Sequence, residues 1–264
     1  MRPKSSHLGP EYGAQFADPD VATAYDQRPP YPDEVFAILT DLLPDAPRTV
    51  LDAGCGSGDL ARPLAALVAR VDAVDPSAAM LARGRARPGG DAANLRWFQS
   101  TIEAAPLGSP YALITAGESL HWMEWAVVLP RFREVLDPAG RLAIVERETP
   151  ALPWWGEVLR LIQRYSTNRE FQPYNLVDEL TTRGLFREAG RRRTAPHPFR
   201  QSVEAYIESI HSRNGFSRAR MTRAAADGFD AAVRDVVAPF AQGDDLHMQV
   251  VGTVIWGVPL AAGG

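Results

Sequence analysis

Val50-Leu51-Asp52-Ala53-Gly54-Cys55-Gly56-Ser57-Gly58-Asp59-Leu60 is the stretch whose reading decides the fold. Thr49 to Ala53 is a short apolar, β-branched run, as expected of a buried parallel strand. Three glycines at alternate positions follow, and Leu60 to Val68 then carries a helical apolar pattern. A strand, a glycine turn and a helix open a nucleotide-binding βαβ unit. Glycine admits positive φ and lets a ligand lie against the main chain. The helix behind it points unpaired N–H groups at that ligand.

Small differences select the ligand. A dinucleotide fingerprint needs a third glycine where this chain has Asp59, and a carboxylate there would repel a pyrophosphate. The Gly-Lys-Ser/Thr of a P-loop is absent. The expected ligand is therefore a nucleoside without phosphates. After the next strand, Val71-Asp72-Ala73-Val74, the run ends in Asp75. A carboxylate at that strand end can accept hydrogen bonds from both ribose hydroxyls, each worth roughly 1.5–3 kcal/mol.

These residues resemble the class I S-adenosylmethionine-dependent methyltransferases, in particular their type 11 small-molecule branch, over about residues 20 to 147. Asp52-Ala53-Gly54-Cys55-Gly56-Ser57-Gly58 is similar to that family's first motif, and Val74-Asp75-Pro76-Ser77 with Met80-Leu81 to its second. The resemblance implies an α/β fold: a Rossmann-like, doubly wound, seven-stranded and mostly parallel sheet with an antiparallel last strand, plus a helical cap. It also implies S-adenosyl-L-methionine as cofactor and S-adenosyl-L-homocysteine as product.

Candidate cofactor contacts follow from the same resemblance. They are Asp52, Ala53, Gly54, Cys55, Gly56 and Gly58 in the turn, Asp75, Pro76 and Met80 after the second strand, and Ala116 and Ser119 at the end of the fourth. Ser100 to Pro106 resembles the family's adenine-contacting loop, with Thr101 where many relatives have Asp and with the Ile102 amide facing the ring. Tyr25 and Arg28, in a segment that ends Arg28-Pro29-Pro30-Tyr31-Pro32, are candidates for the methionine carboxylate, since arginine pairs bidentately with carboxylates. The alternative for that segment is a structural proline turn with a surface arginine.

His121 is the one evident candidate general base, because imidazole titrates near pH 6.5. The alternative, which we favour, is that His121-Trp122 packs under the sheet edge or shapes the adenosine pocket. Many methyl transfers need no base, because placement against a sulfonium supplies much of the rate. Glu118 is a second candidate base, with a surface role as its alternative. No Asn/Asp-Pro-Pro-Tyr motif is present, which argues against methylation of exocyclic amines in nucleic acids or glutamine.

Composition agrees with these expectations. At 264 residues the chain suits one domain with an elaboration. Its net charge of −4 does not suit a nucleic-acid-binding protein. A single cysteine permits no internal disulfide, and a reducing cytoplasm is the expected home. No apolar run approaches a membrane span, and the first residues lack an apolar signal core. No metal site is expected, and the oligomeric state is not specified.

Residues 1–32 are expected to form an N-terminal arm over the cofactor pocket, the first of them disordered. Residues 33–264 are expected as a single methyltransferase domain, with a helical cap inserted at about 148–183 and 200–243. Asp33 is expected to cap a helix to Leu43, and Ser77 another to Arg87. Strands are expected at 95–99, 111–116, 141–145, 188–194 and 248–258, with further helices at 127–136, 155–165, 175–186, 202–212 and 218–240. The expected function is methyl transfer to a small-molecule acceptor at O, N or C, with natural-product biosynthesis as a setting. The alternatives are a non-methylating cyclisation or rearrangement on the same cofactor, or methylation of RNA or protein.

Overall fold

The computed structural model describes residues 4–46, 48–108, 110–172 and 174–260. Met1 to Pro3, the start of the segment expected to be disordered, lie outside the described residues. From Lys4 onward the arm is ordered against the body: Lys4 Nζ donates to the Met123 carbonyl at 2.8 Å, and His7 and Leu8 are buried. Short helices α1 (Pro10–Gly13) and α2 (Pro19–Ala24) follow, then α3 (Asp33–Asp41). Asp33 is the first residue of α3 rather than its side-chain cap; Pro32 holds the cap position, where its fixed φ suits helix entry.

The remaining elements alternate as expected. They are β1 (Thr49–Ala53), α4 (Ala61–Ala65), β2 (Arg70–Asp75), α5 (Ala78–Ala86), β3 (Leu95–Gln99), β4 (Tyr111–Gly117), α6 (Trp125–Val135) and β5 (Leu136–Glu148). Then come α7 (Trp155–Tyr165), α8 (Leu176–Thr182), β6 (Phe186–Arg193), β7 (His197–Ser202), α9 (Val203–His211), α10 (Arg223–Val237) and β8 (Asp245–Pro259). Ser77 Oγ accepts from the Met80 amide, the expected cap of α5.

Helix α4 is shorter than its apolar pattern, with Pro63 inside its first turn. The Asp137–Gly140 turn falls within β5, where the pairing with β4 shifts register between Tyr111 and Leu113. The eighth strand, β7, has no counterpart in the sequence expectations; it pairs with the first half of the long β8.

Strand order is β3-β2-β1-β4-β5-β8-β6, parallel from β3 through β5, with β8 antiparallel to both β5 and β6. Chain direction across the sheet reverses between β1 and β4, so the crevice for a ligand opens at their carboxyl ends. Alternating side chains of β1 enter different cores: Leu51 packs with α6 and α8 on one face, and Val50 with α3 and α4 on the other.

A third cluster joins Trp154 at the start of α7, Val158, Ile207, Ile210, Phe216, Phe229 and Val233 of α7, α9, α10 and the turn between the last two, to Leu246 and Met248 of β8. A small fourth cluster of Val21, Ala22 and Met80, with Phe16 and Tyr25 against it, seats the arm on α5.

Candidate active site

The glycine turn is built by backbone conformation. Gly54, Gly56 and Gly58 have φ of +69°, +53° and +76°. A side chain on Gly54 would strike Ser119 Cβ at 2.6 Å, whereas one on Gly56 would meet nothing within 4 Å. Gly54 is therefore fixed by packing, and Gly56 turns a bare main chain toward open space. The Gly54 and Cys55 amides donate to the Val74 carbonyl, tying the turn to β2. Asp75 accepts from the Gly56 amide on Oδ2 at 2.9 Å and from the Ser77 amide on Oδ1 at 2.8 Å. Burial raises its pKa against these two bonds.

Two cavities open at this crevice. The first, about 370 Å³, is lined by the sequence-chosen Tyr25, Arg28, Gly54, Gly56, Asp75, Pro76, Met80, Thr101, Ile102 and Ser119. Phe16, Glu103, Glu118, Met123 and Trp122 also line it; the first four are not among the cofactor contacts expected from the sequence, whereas Trp122 belongs to the His121-Trp122 pair expected at the sheet edge or the adenosine pocket. Glu103 Oε1 also accepts from the Glu124 amide at 2.9 Å, a local capping bond. Phe16 lies 5.6 Å from the Trp122 ring, so the arm closes over this cavity through an aromatic contact.

The remaining sequence choices stand elsewhere. The Ala53 carbonyl accepts from Ser119 Oγ at 2.6 Å behind the turn, and Cys55 is buried with its thiol pKa raised by burial. Gly58 abuts the Trp97 ring. Asp52 is buried beneath the turn, where Thr115 Oγ1 donates to Oδ1 at 2.8 Å. Burial pushes its pKa up to about 7. Asp59 joins an ion-pair group with Arg62, Arg87 and Arg147, outside the first cavity's lining.

The second cavity, about 670 Å³, is lined by Ala116 and His121 together with Ile144, Glu146, Tyr174 and Arg213. It shares Phe16, Arg28, Glu118, Ser119 and Trp122 with the first, so one thin wall divides them. Glu118 stands on that wall in a left-handed backbone conformation, φ +51°, which costs a non-glycine residue about 1–2 kcal/mol. Its carboxylate lies 3.3 Å from both Arg28 Nη1 and Arg147 Nε. Burial alone would raise the Glu118 pKa; the charges of Arg147, Arg28 and Arg213 outweigh it and lower it.

Arg28 also donates to Ser212 Oγ and to the Ser212 carbonyl, each at 2.8 Å, and stacks 4.1 Å above the Tyr25 ring. It therefore bridges the arm, the dividing wall and the end of α9. His121 packs 4.6 Å from the Trp122 ring, and burial pushes its pKa down to about 4. At neutral pH it is an uncharged imidazole.

Among the described residues, no group of three or more His, Cys, Asp or Glu is placed to hold a metal ion. Nor, among them, is any helix long and apolar enough to cross a membrane.

Comparisons with known proteins converge on one family. Residues 50–140 match the model of a methyltransferase domain. An uncharacterized methyltransferase of Mycobacterium tuberculosis is 35% identical over 118 residues, covering 44% of this chain and 59% of the relative. The ubiquinone/menaquinone biosynthesis C-methyltransferase UbiE of Rubrivivax gelatinosus is 36% identical over 114 residues, covering 42% and 43%. The chain thus spans about half the length of these relatives.

In overall fold it is similar to a provisionally assigned type II methyltransferase of Anaeromyxobacter dehalogenans, at a TM-score of 0.58 and 21% identity, with 88% of this chain and 97% of the other superposed. The turn, the Asp75 carboxylate and the doubly wound sheet fall inside or beside the matched residues. Over residues 50–140 the chain is similar to methyltransferase domains, and its sheet has the fold of the solved neighbour.

Proposed function

We propose that the chain is an enzyme that transfers the methyl group of S-adenosyl-L-methionine to a small organic acceptor, leaving S-adenosyl-L-homocysteine. The observation that carries this reading is the pair of cavities divided by Arg28, Glu118, Ser119 and Trp122. One chamber suits a nucleoside and the other an acceptor, with a single wall between them across which a methyl group can pass.

The residues of the smaller chamber fit the cofactor. Gly56 leaves room for close main-chain approach. Asp75 has spent two of its roughly four acceptor sites on amides, which leaves two for ribose hydroxyls. Thr101 and Ile102 would border the adenine, Pro76 and Met80 its apolar side, and Tyr25 and Arg28 the methionine end. When bound, the cofactor supplies an electrophilic sulfonium methyl. The chain's own part is placement and exclusion of water by the arm and the Phe16–Trp122 contact. A small-molecule partner, with no nucleic acid and no membrane, and a cytoplasmic setting complete the proposal.

Calorimetric titration with S-adenosylmethionine and S-adenosylhomocysteine tests it, with Asp75→Ala alongside. The expected result is micromolar binding that Asp75→Ala weakens at least tenfold, about 1.4 kcal/mol. Absence of binding to the wild-type chain overturns the reading.

A further inference from the structure

Three arginines stand on the acceptor side of the dividing wall, and two are fully engaged. Arg28 is held by Ser212 and Glu118. Arg147 donates to the Pro29 carbonyl at 2.6 Å and pairs with Asp59 and Glu118. Arg213, just past α9, is different. Among the described residues its side chain makes no hydrogen bond and no ion pair, although it lines the 670 Å³ cavity. Burial, and then the charge of Arg28, lower its pKa against the pull of Tyr206 and Glu118.

The position of that cation within the cavity follows from its neighbours. Arg213 follows Ser212, which holds Arg28 through two bonds of 2.8 Å, so it enters the cavity beside the dividing wall. The cavity's other acids, Glu146 and Glu148, come from the end of β5. Glu146 is influenced by Glu118, Arg191 and Glu148, and acts in turn on Tyr174. Glu148 pairs with Arg193. Between the two ends run apolar walls, Phe16, Trp122, Ile144, Leu176 and Val250, and the exposed Phe171 and Tyr174 mark the outer rim. An acceptor with an anionic head and an apolar body fits this gradient head first, with the head beside the cofactor chamber.

Neither of the two candidate bases is a ready proton acceptor. His121 is a weak base there, and Glu118 is committed to two arginines. An alcohol or ammonium acceptor needs a proton removed, whereas a carboxylate is already ionised at neutral pH.

We infer that the acceptor is an organic carboxylic acid whose carboxylate pairs with Arg213 and is itself methylated to the ester. The inference rests on the methyl-transfer reading above. One carboxylate oxygen attacks the sulfonium methyl carbon as the other stays on the guanidinium; an O–CH3 bond forms, the S–CH3 bond breaks, its electron pair returns to sulfur and no proton is released. Arg213 selects acids over neutral isosteres because a charge-assisted, bidentate pair is available to the acid alone.

The test titrates the chain, with and without saturating S-adenosylhomocysteine, with 4-phenylbutanoate and decanoate and with the primary amide of each. Acids are expected to bind at least tenfold more tightly than amides. Arg213→Gln should abolish that preference, Arg213→Lys should keep part of it, and S-adenosylhomocysteine should bind Arg213→Gln as it binds the wild type, which shows the variant folded. With methyl-labelled S-adenosylmethionine and the two acids, the transferred label should be released as methanol by mild alkali.

Equal affinity for acid and amide overturns the inference. So do failure of both acids to bind, an acid preference that survives in Arg213→Gln, and a label stable to alkali. Failure of S-adenosylhomocysteine to bind, with the Arg213-dependent acid preference intact, strikes instead at the methyl-transfer reading and the ester step, and leaves Arg213 as an anion site.

Discussion

The Gly56 amide donates to Asp75 Oδ2 at 2.9 Å, so the glycine turn and the acidic end of β2 are one unit rather than two neighbouring motifs. The glycines of that unit do different work. Gly54→Ala drives a methyl into Ser119 Cβ at 2.6 Å and strains φ, so it should lower the urea midpoint by the equivalent of about 2–4 kcal/mol. Gly56→Ala meets no atom and carries only the φ strain, about 1–2 kcal/mol, but its methyl projects into the ligand's space. Its stability loss should be the smaller and its loss of S-adenosylhomocysteine affinity the clearer, at least tenfold by calorimetry. Equal affinity in Gly56→Ala and the wild type would refute the assignment of that face to a ligand.

Asp52 should limit stability at neutral and alkaline pH. Its pKa rises on folding from the ordinary 3.8 to about 7, because it is buried. The folded state therefore holds the proton more tightly. The stability this contributes is complete below pH 3.8 and is lost as pH climbs to about 7. Asp52→Asn keeps an acceptor for Thr115 and cannot ionise. Urea unfolding at pH 8 should show it more stable by about 1–4 kcal/mol, and the gain should vanish near pH 4. An equal gain at both pH values would contradict this account.

His121 shifts in the opposite sense. Burial depresses its pKa from 6.5 to about 4, so the stability it supplies is present above pH 6.5 and is lost as pH falls toward 4. Nuclear magnetic resonance should find its imidazole signals unmoved from pH 8 down to about 5. A midpoint near 6.5 would show that the ring is open to water and available as an ordinary general base.

Asp26 joins the arm to α5, pairing with Arg83 and, at 2.7 Å, with Arg87. Both arginine side chains are about a third exposed, so Asp26→Ala should cost less than about 1 kcal/mol of global stability. Its effect should fall on the arm instead. Hydrogen exchange should quicken in residues 19–28 and dissociation of S-adenosylhomocysteine should accelerate, with the urea midpoint little changed. A large fall in the midpoint and no change in exchange would place the latch elsewhere.

Much of the sheet was legible: Tyr111–Gly117, a buried and mostly apolar run, differs from its expected bounds by one residue, and the half-exposed edge strand Leu95–Gln99 matches residue for residue. Strand β7 was not legible. His197-Pro198-Phe199-Arg200 has exposed side chains on most positions and a proline, and it pairs at the sheet's edge with the overhanging half of β8.

In the site, the motif residues that could be chosen by local order divide in two. Gly54, Gly56 and Asp75 face the cavity, whereas Asp52, Cys55 and Gly58 support the turn from behind. Strand alternation puts Asp52 on the face away from Leu51 and Ala53, and that alone could have flagged it. Phe16 and Arg213 carried no such signal. Each meets the cavity only through contacts between segments far apart in the chain, which periodicity does not encode.

Those distant contacts impose an order of events on the ribosome. The turn and its carboxylate are complete once residue 77 has emerged, but the arm that roofs them docks on the far end of the molecule. Gln15 accepts from Gly215, the Tyr12 carbonyl from Asn214, and Asp18 and Asp20 hold Ser217, Ala219 and Arg220. The arm can therefore reach α5 early, but its seat is completed only by contacts roughly two hundred residues further on. Until then the lid is only partly held, and a nascent or C-terminally shortened chain has the glycine turn under a loosely seated arm.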